Sequence, residues 1–217
     1  MILYSPPPNT HLDLIYVDDD LLVVNKPAGL LSVPGRGVGM DDCLISRVQA
    51  IYPDALIVHR LDMATSGLLV LARGSEMHRN LSLQFQNRQV KKRYLAVVAG
   101  LLSEASGEID LPLICDWPNR PKQKVDFEIG KHSLTRYRLL NIDVDEMSSR
   151  VELEPITGRS HQLRVHMAAQ GHPILGDELY AGEAAARSPR LLLHATDLGF
   201  FHPSTVVWLD FNAAPDF

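Results

Sequence analysis

The chain has almost no cysteine. Cys43 and Cys115 are the only two among 217 residues, too few to staple a fold of that size and without Cys-x-x-Cys spacing. Both read as reduced thiols, so neither a disulfide scaffold nor a dithiol redox centre is expected. Long apolar runs are missing too. Nothing approaches the roughly 20 residues that cross a bilayer, and the start, "MILYSPPPNTHLD", lacks the basic and then apolar regions of a secretion signal. The expected location is the cytoplasm, with no membrane partner. Positive charge is not in excess either: the formal net charge is −5, which argues against a protein that coats nucleic acid without selectivity.

What remains is an ordinary globular composition, 46% hydrophobic and 22% charged, in a chain long enough for one good core. Residues 1–12, with three consecutive prolines, read as a flexible arm, and 13–217 as a single domain. "DLIYVDDDLLVVNKP" suggests two strands split by Asp18, Asp19 and Asp20. Three helices are expected: one in "DDCLISRVQAIYP" with an Asp cap, one in "SEMHRNLSLQFQNRQ" with Ser75 as cap and Met77, Leu81 and Phe85 at every fourth position, and one in "SHQLRVHMAAQG" capped by Ser160 and closed by Gly171. "SGLLVLAR", "KKRYLAVVAG", "SLTRYRLLNI", "SRVELEPI", "RLLLHATDLGF" and "STVVWLDF" read as strands. Strands outnumber helices without alternating with them, which predicts an α+β fold around a mainly antiparallel or mixed sheet with flanking helices.

Charge is distributed unevenly. "RQVKKR" holds Arg88, Lys91, Lys92 and Arg93 without an acid, and "NRPKQK" holds Arg120, Lys122 and Lys124 beside Trp117. Such runs suit a polyanion, although each by itself is also an ordinary solvated turn.

Several chemistries are excluded by spacing. His161 and His166 in "HQLRVHMAAQGH" are five apart with no Glu between them, unlike the i, i+4 pair of a zinc hydrolase, so no metal site is expected. Ser160 adjoins His161, but neighbours on a helix point about 100° apart, and no G-x-S-x-G elbow or phosphate loop exists. A carboxylate with arginines is left. In "HRLDMATSGLLVLAR", Arg60 and Asp62 share a face of an extended segment at the start of a strand. If Arg164 of the third helix reaches Asp62, the ion pair keeps the carboxylate charged and able to act as nucleophile or base at a sugar carbon. Tyr94 supplies an aromatic face and a hydroxyl. A structural ion pair and a core tyrosine are the competing readings.

The segments "NKPAGLLSVPG", "HRLDMATSGLLVLAR", "KKRYLAVVAG", "PITGRSHQLRVHMAAQGHPILGDELYA" and "RLLLHA", in that order, resemble the RluA family of RNA pseudouridine synthases from about Val17 to Phe200. "LPLICDWPNRPKQKV" additionally resembles the small branch that modifies both 23S ribosomal RNA and tRNA, the latter in the anticodon stem-loop. The resemblance implies isomerisation of uridine to pseudouridine, with Asp62 as the indispensable carboxylate. Tyr94 would stack on the target base, Arg164 would pair with the aspartate, and Arg60 would fill the space left by the flipped uridine. It implies RNA stem-loops rather than DNA as partner. No S4 domain is expected before Asp13, so recognition rests on the shape and flipped bases of a loop. Isomerisation changes no oxidation state, so neither metal nor organic cofactor is implied. A monomer is expected. An RNA-binding or RNA-folding protein with a vestigial site is the alternative from another class, and a nucleoside hydrolase a third.

Overall fold

The computed structural model describes residues 4–217; the first three residues of the expected arm lie outside the described residues. In chain order the elements are β1 (Leu14–Val17), β2 (Leu21–Lys26), α1 (Leu44–Gln49), β3 (Ala55–Ile57), β4 (Ser66–Arg73), α2 (Gly74–Gln86), β5 (Lys91–Ala99), β6 (Ser106–Asp110), β7 (Leu113–Cys115), β8 (Gln123–Val125), β9 (Leu134–Asp143), β10 (Ser148–Pro155), α3 (Gln162–Ala169), β11 (Leu193–Phe201) and β12 (Trp208–Asn212). The class is α+β. Two compact units form: the first runs to Lys92 and resumes at Ala195–Asp216, and the second is Arg93–His194 with Phe217.

In the first unit β2 pairs antiparallel with both β1 and β4, β3 pairs with β4, and β12 with β11. The uninterrupted apolar run of β4 has a physical cause, since every residue from Ser66 to Ala72 is buried. Leu68, Val70 and Ala72 alternate onto one face, where they meet Leu81 of α2 together with Val90, Leu198 and Phe200. Each Leu- or Phe-sized side chain buried there contributes about 1.5 to 3 kcal/mol. The every-fourth pattern of α2 is the reason it docks: Leu81 is in the core, with Met77 and Phe85 packed against it. Gly67 has φ +115°, and a Cβ on it would lie 2.4 Å from the backbone N and O of Ala195. Only glycine lets these two backbones approach so closely.

Helix starts differ from expectation. At α1 the N-cap is Cys43, whose N–H donates to Ser46 Oγ at 3.0 Å. Asp42 is drawn off to grip Arg47 through Nε and Nη2 at 2.7 and 2.8 Å. Arg47 also donates to Pro7 O at 2.7 Å, and Tyr4 Oη donates to Asp42 O at 2.8 Å, so the proline-rich segment is anchored without regular structure. At α2 the N-cap is Arg73, and Ser75 lies inside the first turn.

In the second unit the order is β5-β10-β9-β6, antiparallel throughout, and β7 pairs with β8 in a separate hairpin. The strands β3, β6, β7 and β8 are short and lack an apolar alternation long enough to read from sequence. Residues Gln162–Met167 of α3 are all buried. Its N-cap is His161 rather than Ser160, with a left-handed φ of 53° and no side-chain cap. Gln162 explains this. Its Oε1 accepts from Arg159 N and Thr157 Oγ1, while Nε2 donates to Leu134 O and Thr135 Oγ1, which pulls the first turn of the helix onto β9. Gly171, at φ +81°, closes the helix as its position predicts.

Candidate active site

Asp62 lies before the strand rather than at its start, because β4 begins at Ser66. Alternation nevertheless persists in the connecting segment: Arg60 is exposed, Leu61 buried and Asp62 half-buried. The segment is held from beneath by the stretch "NKPAGLLS". Ser32 Oγ donates to Leu61 O at 2.7 Å and accepts from Leu61 N at 3.2 Å. Lys26, fully buried, donates to Pro27 O, Leu30 O and Met63 O at 2.9, 2.7 and 3.2 Å. Gly29 N also donates to Met63 O at 2.8 Å, and Thr65 N to Asp62 O at 3.1 Å. Backbone carbonyls on both sides of Asp62 are therefore fixed, and Asp62 itself is half-buried. Spacing does not single out Lys26 and Ser32 for this role; the signal is a lysine inside an otherwise apolar strand, "LLVVNK".

His59 secures the same segment laterally. Beyond the Ile57↔Leu71 pair, Val70 N donates to His59 Nε2 at 3.1 Å. The Phe85 ring stacks on the imidazole with centroids 4.4 Å apart. Burial of the ring, and secondarily the Lys92 charge, push its pKa from 6.5 down to about 3. His166 in the second unit is also lowered, mainly by burial, between Thr135 Oγ1 and Leu111 O. Both histidines are harder to protonate in the fold than in the unfolded chain, which takes up protons first as pH falls. Stability is therefore full above about pH 6.5 and is lost as pH falls toward the folded values, at up to about 1.4 kcal/mol per pH unit for each. Urea unfolding at pH 7, 6 and 5 is expected to show this decline and His59→Gln to flatten it. Asp42 is held below the usual carboxylate range by its Arg47 hydrogen bond.

The other two candidates are in the second unit. Tyr94 sits on β5 opposite Leu153 of β10 and is half-buried. Arg164 on α3 is buried, and Asp177 grips it through Nε→Oδ2 and Nη2→Oδ1, both at 2.7 Å. This bidentate pair fixes the plane of the guanidinium and hence the direction of its remaining donors. Asp177 Oδ1 also accepts from Leu179 N and Tyr180 N at 3.0 and 3.3 Å. The Tyr180 ring lies 5.2 Å from the guanidinium carbon. From sequence Asp177 counts only as one of several acids in "GDELYAGE"; the usable signal is that it follows the apolar "PIL".

Comparison with known proteins gives these residues a chemical context. A sequence model of the family described as "RNA pseudouridylate synthase" matches residues 20–169. The chain belongs to this family. It is 54% identical over 215 residues to the dual-specificity RNA pseudouridine synthase RluA of Escherichia coli K12, covering 99% of this chain and 98% of that protein. The Pasteurella multocida RluA is 52% identical over 218 residues, covering 100% and 99%. Among solved structures, human RNA pseudouridylate synthase domain containing 1 superposes with a TM-score of 0.81 at 28% identity, covering 98% of this chain and 87% of that one. Human RNA pseudouridylate synthase domain containing 4 gives 0.75 at 27% identity, with 94% and 89% covered.

For an RNA pseudouridine synthase the placement of charge matters. Among the basic residues, Arg88 lies two residues beyond α2, exposed and at φ 58°, Lys91 pairs with Asp210 at 2.9 Å, and Lys92 reaches His59 with its charge. Arg120 lies over the exposed Trp117 ring at 4.6 Å, Lys122 is half-buried beside it, and Lys124 pairs with Asp126 at 3.3 Å. The histidines that invite a metal reading go to separate partners: His161 to Tyr180 Oη, His166 to Thr135 and Leu111, and His172 to Ala99 O. Among the described residues, no helix is long and apolar enough to cross a membrane.

Proposed function

We propose that this synthase isomerises specific uridines in both 23S ribosomal RNA and tRNA, in the latter within the anticodon stem-loop. The observation that carries this reading is the near full-length identity to relatives named dual-specificity synthases. In the reaction the N1–C1′ bond breaks, the base turns, C5 bonds to C1′, the C5 proton leaves and N1 gains one, so atoms and charge balance. Asp62 acts at the ribose, as nucleophile at C1′ or as base at C2′, and both roles require the ionised carboxylate. Tyr94 stacks on the base and assists loss of the C5 proton, and Arg164 supplies the counter-charge. Arg60, exposed two residues from Asp62, occupies the gap in the RNA after the uridine is extruded. Extrusion costs a few kcal/mol, and stacking on an aromatic side chain returns about 1 to 3. Arg88, Lys91, Lys92, Arg120, Lys122 and Lys124 face the phosphates. The enzyme works as a cytoplasmic monomer without metal or organic cofactor.

The test is release of tritium to water from 23S-fragment and tRNA transcripts labelled at uridine C5. Release from both is the expected result. Release from one alone removes dual specificity, and tight binding without release from either supports a non-catalytic RNA-binding protein.

A further inference from the structure

Four contacts meet at Tyr180, a residue that the reading above leaves unused. Its hydroxyl accepts from the Gln123 backbone N–H at 2.8 Å, on strand β8 of the hairpin. The same oxygen is 2.6 Å from His161 Nδ1. Its ring lies beside the Arg164 guanidinium at 5.2 Å, and its own N–H is held by Asp177, the partner of that arginine. His161 is the left-handed residue that opens α3, three positions before Arg164. A non-glycine residue in that conformation costs about 1 kcal/mol or more and persists where its surroundings fix it; here the Tyr180 hydroxyl is one of those surroundings.

The hairpin at the other end has the chemistry of a base-stacking platform. Trp117 is 65% exposed, and the Arg120 guanidinium is already stacked over its ring. Lys122 and Lys124 follow on the same stretch. An open indole edged by cations suits an unpaired RNA base and its phosphates.

We infer that Tyr180 is a positioning residue coupling the hairpin Leu113–Val125 to Arg164. Its hydroxyl seats the hairpin while its ring seats the guanidinium, so capture of an unpaired loop base by Trp117 and Arg120 sets the arginine for the chemical step. This rests on the synthase activity proposed above. Because both ends share one tyrosine, the hairpin contributes to turnover as well as to binding.

The experiment is a double-mutant cycle on tritium release from the tRNA stem-loop, with Trp117→Ala and Tyr180→Phe singly and combined. Tyr180→Phe keeps the ring and removes only the hydroxyl. Each single change is expected to lower kcat at saturating RNA by roughly tenfold, and the double to lose little more than the larger single. Thermal melts of all variants are expected to stay near wild type. Trp117→Ala that raises KM with kcat intact, or multiplicative losses in the double, overturns the coupling. Failure of the wild type to release tritium overturns the synthase reading itself, an outcome distinct from either.

Discussion

Asp62→Asn is expected to abolish tritium release, by roughly 10^3-fold or more, while the protein melts and binds RNA much as before. Asparagine has nearly the size of aspartate but carries no charge and no basic oxygen, so attack at C1′ and proton removal at C2′ are both lost. The fold tolerates the change because its clamps act on the neighbouring backbone. Ser32 holds Leu61 O and N, and Lys26 and Gly29 hold Met63 O. Single-turnover assays, a thermal melt and a gel-shift titration on one preparation check all three parts. Substantial turnover by the variant would remove Asp62 from the catalytic role.

Asp177→Asn is expected to act in the opposite way, on stability first. The Asp177 side chain is fully buried and that of Arg164 is 5% exposed. Removing one partner of a buried ion pair typically costs about 3 to 5 kcal/mol. In a chain of this size that lowers the melting temperature by roughly 10 °C. Asparagine still accepts from Tyr180 N, so the turn survives better than the charge balance. Activity falls as well, since the guanidinium loses the partner that fixes its plane. A thermal melt decides the matter, and an unchanged Tm would show that the ion pair does not stabilise the fold.

The two substitutions mark what was legible in the sequence. Asp62, Tyr94 and Arg164 are proposed from motif order alone, whereas the run "SGLLVLAR" reads as a fully buried strand because burial on both faces leaves no alternation. The fourfold spacing of Met77, Leu81 and Phe85 gives α2 directly. The supports are harder to see. Lys26, Ser32 and His59 act by side-chain contacts to backbone groups, Ser32 and Lys26 across long stretches of chain, and no local period records such contacts. Ser160 has the right type for a cap, yet Gln162 wins the local competition by bonding to four groups, Leu134, Thr135, Thr157 and Arg159. Asp42 loses its capping role in the same way, to Arg47.

The first unit is not one stretch of chain. Leu68, Val70 and Leu81 precede the second unit in the chain, whereas Leu198, Phe200 and Ala213, which complete the same core, follow it. A nascent chain can settle most of its second unit from a continuous segment, but the core of its first is complete only once the later segment has been made. A chain that stops before Ala195 therefore lacks Leu198, Phe200 and Ala213, and leaves Leu68, Val70 and Leu81 only partly covered.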